Sequence, residues 1–244
     1  MKAIIPVAGY ATRLYPLTRE KPKALIEVKG KPILSHIVSR ICAIGGITEI
    51  LVVTNNKFFY QFEDWAKCEN SDVPIRVIND NTVSNEDRLG QMGDIQLALE
   101  EGKVKDDLLV VSGDNLFNFP LNGMLADFRA KRANLIALYD VSDTDEAKKM
   151  GVVQVDKSMR VKAFHEKPEE PKSTLCSCGI YFYPAKTIAR ISEYISEGND
   201  PDKMGNFLEW LITREAVYGH IFLEKWFDIG SFESLGRARE EFKP

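Results

Sequence analysis

Apolar residues in this chain fall into short continuous runs, and the stretches between them carry helical spacing. Ile4–Val7 reads as a short buried strand, Glu49–Thr54 as a second and Ile75–Ile78 as a third. Asp107–Val111 is a fourth, ending abruptly at Ser112-Gly113-Asp114, and Leu135–Tyr139 is a fifth. Helices are predicted between them. One starts at Lys31-Pro32, with proline in its first turn, and runs to Gly45-Gly46. Others cover roughly Lys57 to Cys68, Gly93 to Glu101 and about Leu121 to Lys131. In the helix from Gly93 to Glu101, Ile95, Leu97, Ala98 and Leu99 supply the apolar side. Strands alternating with helices predict a parallel sheet covered on both faces. In such sheets a ligand sits outside the carboxyl ends of the strands. The loop after the first strand and Asp114 both fall at those ends.

After about residue 150 the pattern changes. Val152–Val155 and Val161–Phe164 flank Asp156-Lys157-Ser158 as a hairpin, and Ile180–Tyr183 is a further strand followed by helices. Ala216–Leu223 and Trp226–Gly230 are extended again, and a helix from Ser231 or Phe232 closes the chain. The expectation is one domain over residues 1–244, a nucleotide-binding half to about 140 and a mixed half over about 141–244, with no linker.

Composition narrows the function classes. Of 244 residues, 32 are basic and 36 acidic, a net charge of -4, which argues against a general nucleic-acid surface. The positive charge of Arg13, Arg19, Lys21 and Lys23 is therefore local and suits a small anionic ligand. Four scattered cysteines, Cys42, Cys68, Cys176 and Cys178, form no disulfide framework, and Cys176-Ser177-Cys178 lacks a second ligand pair for zinc. Reduced thiols in a cytoplasmic protein are expected. No signal peptide and no membrane-crossing run is read, because Pro6 and Gly9 interrupt the first apolar stretch.

The loop Gly9–Leu14 has one glycine where the dinucleotide fingerprint needs three, and the Walker pattern is absent. What remains is a glycine for close backbone approach, then Thr12, Arg13 and, in Lys21-Pro22-Lys23, further cations. Backbone N–H groups with Arg and Lys make a phosphate clamp. A solvated charged loop is the plain alternative.

Pro6–Thr18, then Lys21-Pro22-Lys23-Ala24-Leu25 and Lys31-Pro32-Ile33-Leu34, resemble the sugar-1-phosphate nucleotidyltransferases, whose signature is close to G-x-G-T-R-L-x-P-L-T with P-K and K-P-x-[LI] downstream. The nearest well-known type is glucose-1-phosphate thymidylyltransferase. Ala11 departs from the pattern where the family usually has glycine, and its methyl could narrow the phosphate site or change the backbone angle. The resemblance extends to about residue 235 and implies a Rossmann-like, mostly parallel mixed sheet between helices with a smaller sugar-binding lobe. It gives the nucleotide to Ala8, Gly9, Tyr10, Ala11, Thr12 and Arg13. Asp114, at the end of a buried strand, and Asp228, in Trp226–Gly230, match the family's carboxylates for Mg²⁺; a turn or cap aspartate is the alternative for either alone. Phe164–Pro168 matches its E-K-P, which gives Lys167 the sugar phosphate and Glu166 the sugar hydroxyls. Asn115, Gly151 and Gly179 fall where the family lines the sugar site.

The base-reading stretch is less clear. The usual Q-x-x-x-x-G-[LT]-A is missing from Asn79–Asp94. Gly93 is the expected glycine, with Asn79, Asn81 or Gln91 at the base edge. His36 and His220 read as structural, and His165 has little support as a base or ligand.

The implied reaction joins an NTP, dTTP or UTP first, to a sugar 1-phosphate such as glucose 1-phosphate, giving NDP-sugar and pyrophosphate. Arg13 would hold the pyrophosphate, Lys23 the α-phosphate and Lys167 the nucleophile. A cytidylyl- or guanylyltransferase with another acceptor stays open, as does a silent sensor of NDP-sugars. Partners are small molecules, with neither nucleic acid nor membrane; only the resemblance points to a homo-oligomer.

Overall fold

The computed structural model describes residues 1–244. β1 (Lys2–Pro6) leads into a loop with single 3-10 turns at Thr12–Leu14 and Lys23–Leu25. β2 (Glu27–Val28) and β3 (Lys31–Pro32) then form a small antiparallel ribbon before α1 (Ile33–Cys42). The helix expected from Lys31-Pro32 thus opens only after that pair, at Ile33, because the pair is extended against Glu27-Val28. Gly45 and Gly46, with φ of 67° and 75°, turn the chain after it.

β4 (Ile50–Thr54), α2 (Phe59–Cys68) and β5 (Ile75–Asn79) follow. α3 (Gly90–Glu101) begins three residues before the expected Gly93. β6 (Leu108–Val111), β7 (Asn115–Phe117), α4 (Asn122–Lys131), β8 (Asn134–Asp140) and the single turn α5 (Thr144–Ala147) complete the first part. Then come β9 (Gly151–Val155), β10 (Val161–Glu166), β11 (Leu175–Tyr183), α6 (Ala185–Ser196), α7 (Met204–Ile212), β12 (Val217–Phe222), β13 (Trp226–Asp228) and α8 (Phe232–Glu241).

Nine strands share one sheet, in the order β10-β9-β11-β6-β1-β4-β5, with β8 added on β11 and β12 on β8. β1, β4, β5 and β6 run parallel, as do β8 and β12, while β9, β10 and β11 enter antiparallel. The sheet is mixed and α/β in character, and strands from both parts of the chain interleave in it. β11 bends at a register shift between Ser177 and Tyr181, where Gly179 has φ 69°.

Alternation within the apolar runs explains their continuity. Ala3 and Ile5, Ile50 and Val52, Leu109 and Val111 point to one face, packed by α1, α2, α4 and α8. Ile4, Leu51 and Val53, Leu108 and Val110 point to the other, packed by α3, α6 and α7. Strands buried on both faces must be apolar at every position. Ile5 is fully buried, so Ile5→Ala would cost roughly 2–5 kcal/mol. No helix is long and apolar enough to cross a membrane.

Candidate active site

The loop after β1 is folded by its own backbone and by two neighbours. Asn55 Nδ2 donates to Ala8 O at 2.7 Å, and Tyr10 Oη donates to Thr82 O at 3.2 Å. Ala11 is left-handed, φ 48° and ψ 45°, and its carbonyl accepts from Leu14 N at 2.9 Å and Thr18 Oγ1 at 2.8 Å. The loop therefore keeps a turn that favours glycine with an alanine in it, at a cost of about 1 kcal/mol. Ala8, Gly9, Tyr10, Ala11, Thr12 and Arg13 all line a cavity of about 370 Å³. Its far wall includes Gln91, Asp94 and Ser112.

Two acids from opposite halves of the chain meet at its edge. β6 delivers Asp114 through Gly113, where a Cβ would lie 2.1 Å from Val7 Cγ1. β13 pairs antiparallel with β7, Asp228 opposite Asn115, and Ile229 N donates to Asp114 O at 3.0 Å. This ribbon sets Asp228 beside Asp114. Lys23 Nζ lies 3.0 Å from Asp114 Oδ2. Enclosure by protein in the cleft and the Asp114 charge push the Asp228 carboxyl up to about 6, against the opposing pull of Lys23, Arg13 and Lys167. The side chain still meets solvent from the cleft. Two crowded, hard carboxylates are a donor set that suits Mg²⁺. No group of three or more His, Cys, Asp or Glu stands ready for a metal, so the other ligands would come from substrate phosphates and water.

Asn115 is fixed between the strands. Trp226 Nε1 donates to its Oδ1 at 2.8 Å, and its Nδ2 donates to Ser112 O and to Asp114 Oδ1, both at 3.3 Å. A Cβ on Gly179 would lie 2.4 Å from Asn115 Nδ2, so the glycine is needed for close approach as well as for its φ.

Beyond the acids lies a cavity of about 210 Å³ lined by Asn115, Gly151, Glu166, Lys167, Gly179 and Tyr181, among others. Glu166 sits in a niche between two glycines: a Cβ would come within 3.3 Å of its Oε2 from Gly151 and 2.8 Å from Gly205. Lys167 Nζ is 3.7 Å from Glu166 Oε1, and Lys167 has φ 51°, a strained angle that its N–H bond to Met150 O at 3.0 Å helps to hold. A third space of about 650 Å³ opens on the side of Asp228 and Lys167. Arg13 lines all three, so they form one cleft with Arg13 at the junction.

The cleft brings together Ala8–Arg13, Lys23, Gln91, Asp114, Asn115, Gly151, Glu166, Lys167, Gly179 and Asp228. Asn79 and Gly93 are not among its lining residues. Asn79 is engaged locally, donating to Asn56 Oδ1 at 2.8 Å and accepting from Asn81 N at 2.9 Å. Gly93 packs inside α3, where a Cβ would meet Leu89 Cβ at 2.9 Å. Gly90 lines the cleft instead, with φ 78° and the Pro201-Asp202 backbone against it. The signal was present: Gly90, like Gly93, precedes the apolar run. The sequence reading also missed Arg88, Asp94, Asp202 and Tyr181. Pairing across the fold places them: Arg88 Nε bonds Asp202 Oδ1 at 2.9 Å.

No histidine lines the cleft. His36 Nε2 is bonded to Val28 O at 2.9 Å and His220 Nδ1 to Asp127 Oδ2 at 2.8 Å, while His165 lies 4.0 Å from Glu209.

A cation-lined cleft with one acid just past the carboxyl end of the parallel strand β6 and a second beside it on the β7–β13 ribbon suits a class: enzymes that work on phosphoanhydrides. The model of the nucleotidyl transferase family matches residues 2–243. The UTP–glucose-1-phosphate uridylyltransferase AglF of Haloferax volcanii is 30% identical over 100% of this chain and 97% of its own length. A glucose-1-phosphate thymidylyltransferase structure from Bacillus anthracis, solved with sucrose, superposes with TM-score 0.85 at 24% identity, covering 100% of this chain and 97% of its own. A UDP-glucose pyrophosphorylase structure holding UDP-glucose superposes with TM-score 0.83 at 20% identity, over 98% and 96% of the two chains. This chain belongs to the sugar-1-phosphate nucleotidyltransferase family and has its Rossmann-like fold.

Proposed function

We propose that the chain transfers a nucleotidyl group from a nucleoside triphosphate to a sugar 1-phosphate with Mg²⁺, releasing NDP-sugar and pyrophosphate. Glucose 1-phosphate is the acceptor and UTP or dTTP the donor that the relatives' names support. The observation that carries the reading is the meeting of Asp114 and Asp228 on one ribbon facing Lys23 and Arg13.

The nucleophile is an oxygen of the sugar phosphate, whose second pKa is about 6, so it is mostly ionised at neutral pH. It attacks the α-phosphorus, and the bond to the pyrophosphate breaks with its electron pair on the departing oxygen. No general base is required, in keeping with a cleft that lacks histidine. The chain's part is positioning and charge neutralisation. Ala8–Thr12 receive the phosphates with backbone N–H groups. Arg13 takes the charge of the leaving pyrophosphate, Lys23 the α-phosphate, and Lys167 brings the nucleophile in line. Glu166 orients the sugar through its hydroxyls, with Asn115, Gly151 and Gly179 shaping the wall. Asp114 and Asp228 would hold Mg²⁺, which would supply Lewis-acid neutralisation of phosphate charge. The four free thiols fit work in the reducing cytoplasm.

A second reading, cytidylyl or guanylyl transfer, is favoured by the acid Asp94 on the wall of the nucleotide cavity. Pyrophosphate release measured for five triphosphates against several sugar 1-phosphates tests the reaction. Magnesium-dependent release with at least one pair is expected; none with any pair would overturn it.

A further inference from the structure

Two hydroxyls in the wall of the sugar cavity are bonded to each other and to no other protein group. Ser177 Oγ and Tyr181 Oη stand 3.2 Å apart. Both side chains line the cavity of about 210 Å³, together with Asn115, Glu166 and Lys167. Four residues of regular strand would separate their Cα atoms by about 13 Å. The bend in β11 brings the hydroxyls together: the register shifts between Ser177 and Tyr181, and Gly179, with φ 69°, sits between them. Gly179 lines the same cavity and has no side chain to stand between the two oxygens.

The Tyr181 ring is fixed. It is 4% exposed and lies parallel to the ring of Tyr183, with centroids 6.0 Å apart. Tyr183 Oη donates to Met204 Sδ at 3.4 Å. Burial raises the Tyr181 phenol above its ordinary value, so it keeps its proton throughout the neutral range. The pair therefore holds two O–H protons. One lies in the bond between the oxygens, whichever of them donates it. The other has no acceptor in the protein, and neither hydroxyl is bonded to Glu166. A ligand that fills the cavity must supply the missing acceptor, or an O–H is left unpaired. The lone pairs of the two oxygens also let the pair accept. A sugar hydroxyl, which gives and takes in the same way, is the matching group.

We propose that Ser177 and Tyr181 are a specificity pair that reads one hydroxyl of the acceptor sugar and rejects a sugar deoxygenated at that position. The inference rests on the reading of the cleft as a sugar-1-phosphate nucleotidyltransferase site and deepens it on the acceptor side. Hydrogen in place of the hydroxyl leaves the O–H of the pair facing carbon. A site built to hydrogen-bond a hydroxyl discriminates against the analogue that lacks it.

The test is kcat/KM by pyrophosphate release for glucose 1-phosphate and its 2-, 3-, 4- and 6-deoxy analogues, with UTP or dTTP and Mg²⁺. The double variant Ser177→Ala/Tyr181→Phe removes both hydroxyls and no other polar group. At one ring position the deoxy analogue should lose about tenfold or more in wild type and close to nothing in the double variant, the scale of one hydrogen bond. The ratios at the other positions should stay as they were. A loosened cavity wall would instead shift all four ratios together. Ser177→Ala and Tyr181→Phe are also assayed singly, in case the double variant fails to fold by circular dichroism. One of the two removes the oxygen that faces the sugar and should show most of the same collapse. Glucose 1-phosphate turning over with no analogue tenfold down in wild type overturns the proposal and leaves nucleotidyl transfer standing. Ratios unchanged in the folded variants, or shifted at every position alike, do the same. No turnover of glucose 1-phosphate with any triphosphate removes the acceptor reading and this inference with it.

Discussion

Lys23 Nζ and Asp114 Oδ2 stand 3.0 Å apart, an ion pair formed between the opening loop and the end of a central strand. Each partner is also wanted elsewhere in the proposed reaction, the lysine by a phosphate and the acid by a cation. Without substrate they satisfy one another. This pair therefore opposes cation binding to the free protein and keeps both groups in place for the loaded one.

Lys23→Met should consequently act in opposite directions on two observables. Mn²⁺ should bind the substrate-free variant more tightly than wild type, because Asp114 loses its competing partner. Turnover should fall by a few hundred-fold, the effect of losing one electrostatic stabiliser worth about 3 kcal/mol. Paramagnetic titration with Mn²⁺ and a pyrophosphate-release assay read the two. Weaker Mn²⁺ binding, or turnover near normal, contradicts this view of the pair.

As a ligand in the proposed cation site, Asp228 would give the cation affinity a pH dependence. Its carboxyl is raised to about 6, first by enclosure and then by Asp114. A raised acid keeps its proton at higher pH than an ordinary aspartate, and the protonated form is a poor ligand. Mn²⁺ affinity of the substrate-free protein should be near its plateau at pH 7.5 or so and fall as pH drops through about 6. Affinity held constant down to pH 4 or so, near the ordinary carboxyl value, would rule out the raised acid as a ligand.

Asp94 carries a different signature, in stability. Its folded-state pKa is raised to about 8 from 3.8, so its contribution is fully present below the unfolded value and is lost as pH rises toward 8. Asp94→Asn has no proton to lose. The melting temperature of Asp94→Asn minus that of wild type should widen steadily between pH 5 and 8. A constant difference across that range contradicts the buried protonated acid.

Much of this was legible in the sequence because the determinants are local. β1, β4 and β6 are apolar runs long enough to be buried on both faces, and the opening loop has a long composite pattern. Asp114 and Asp228 could be named from their motifs. What brings them together, the β7–β13 ribbon with Asp228 opposite Asn115, is a long-range pairing of three-residue strands that no periodicity announces. The sequence puts the helix start and the expected glycine at Gly93; the helix actually begins at Gly90, against which the Pro201-Asp202 backbone packs. Asn79 looked like a base reader but is consumed by Asn56 and Asn81.

In the proposed reaction Asp114 and Asp228 hold one divalent cation between them. Anomalous diffraction from crystals of the protein with Mn²⁺ and a nucleoside triphosphate tests it most directly. A single strong peak is expected in the cleft, with an oxygen from each carboxylate at roughly 2.1 Å and the remaining ligands from phosphate and water. A peak coordinated by only one of the two acids, or lying outside the cleft, would contradict it.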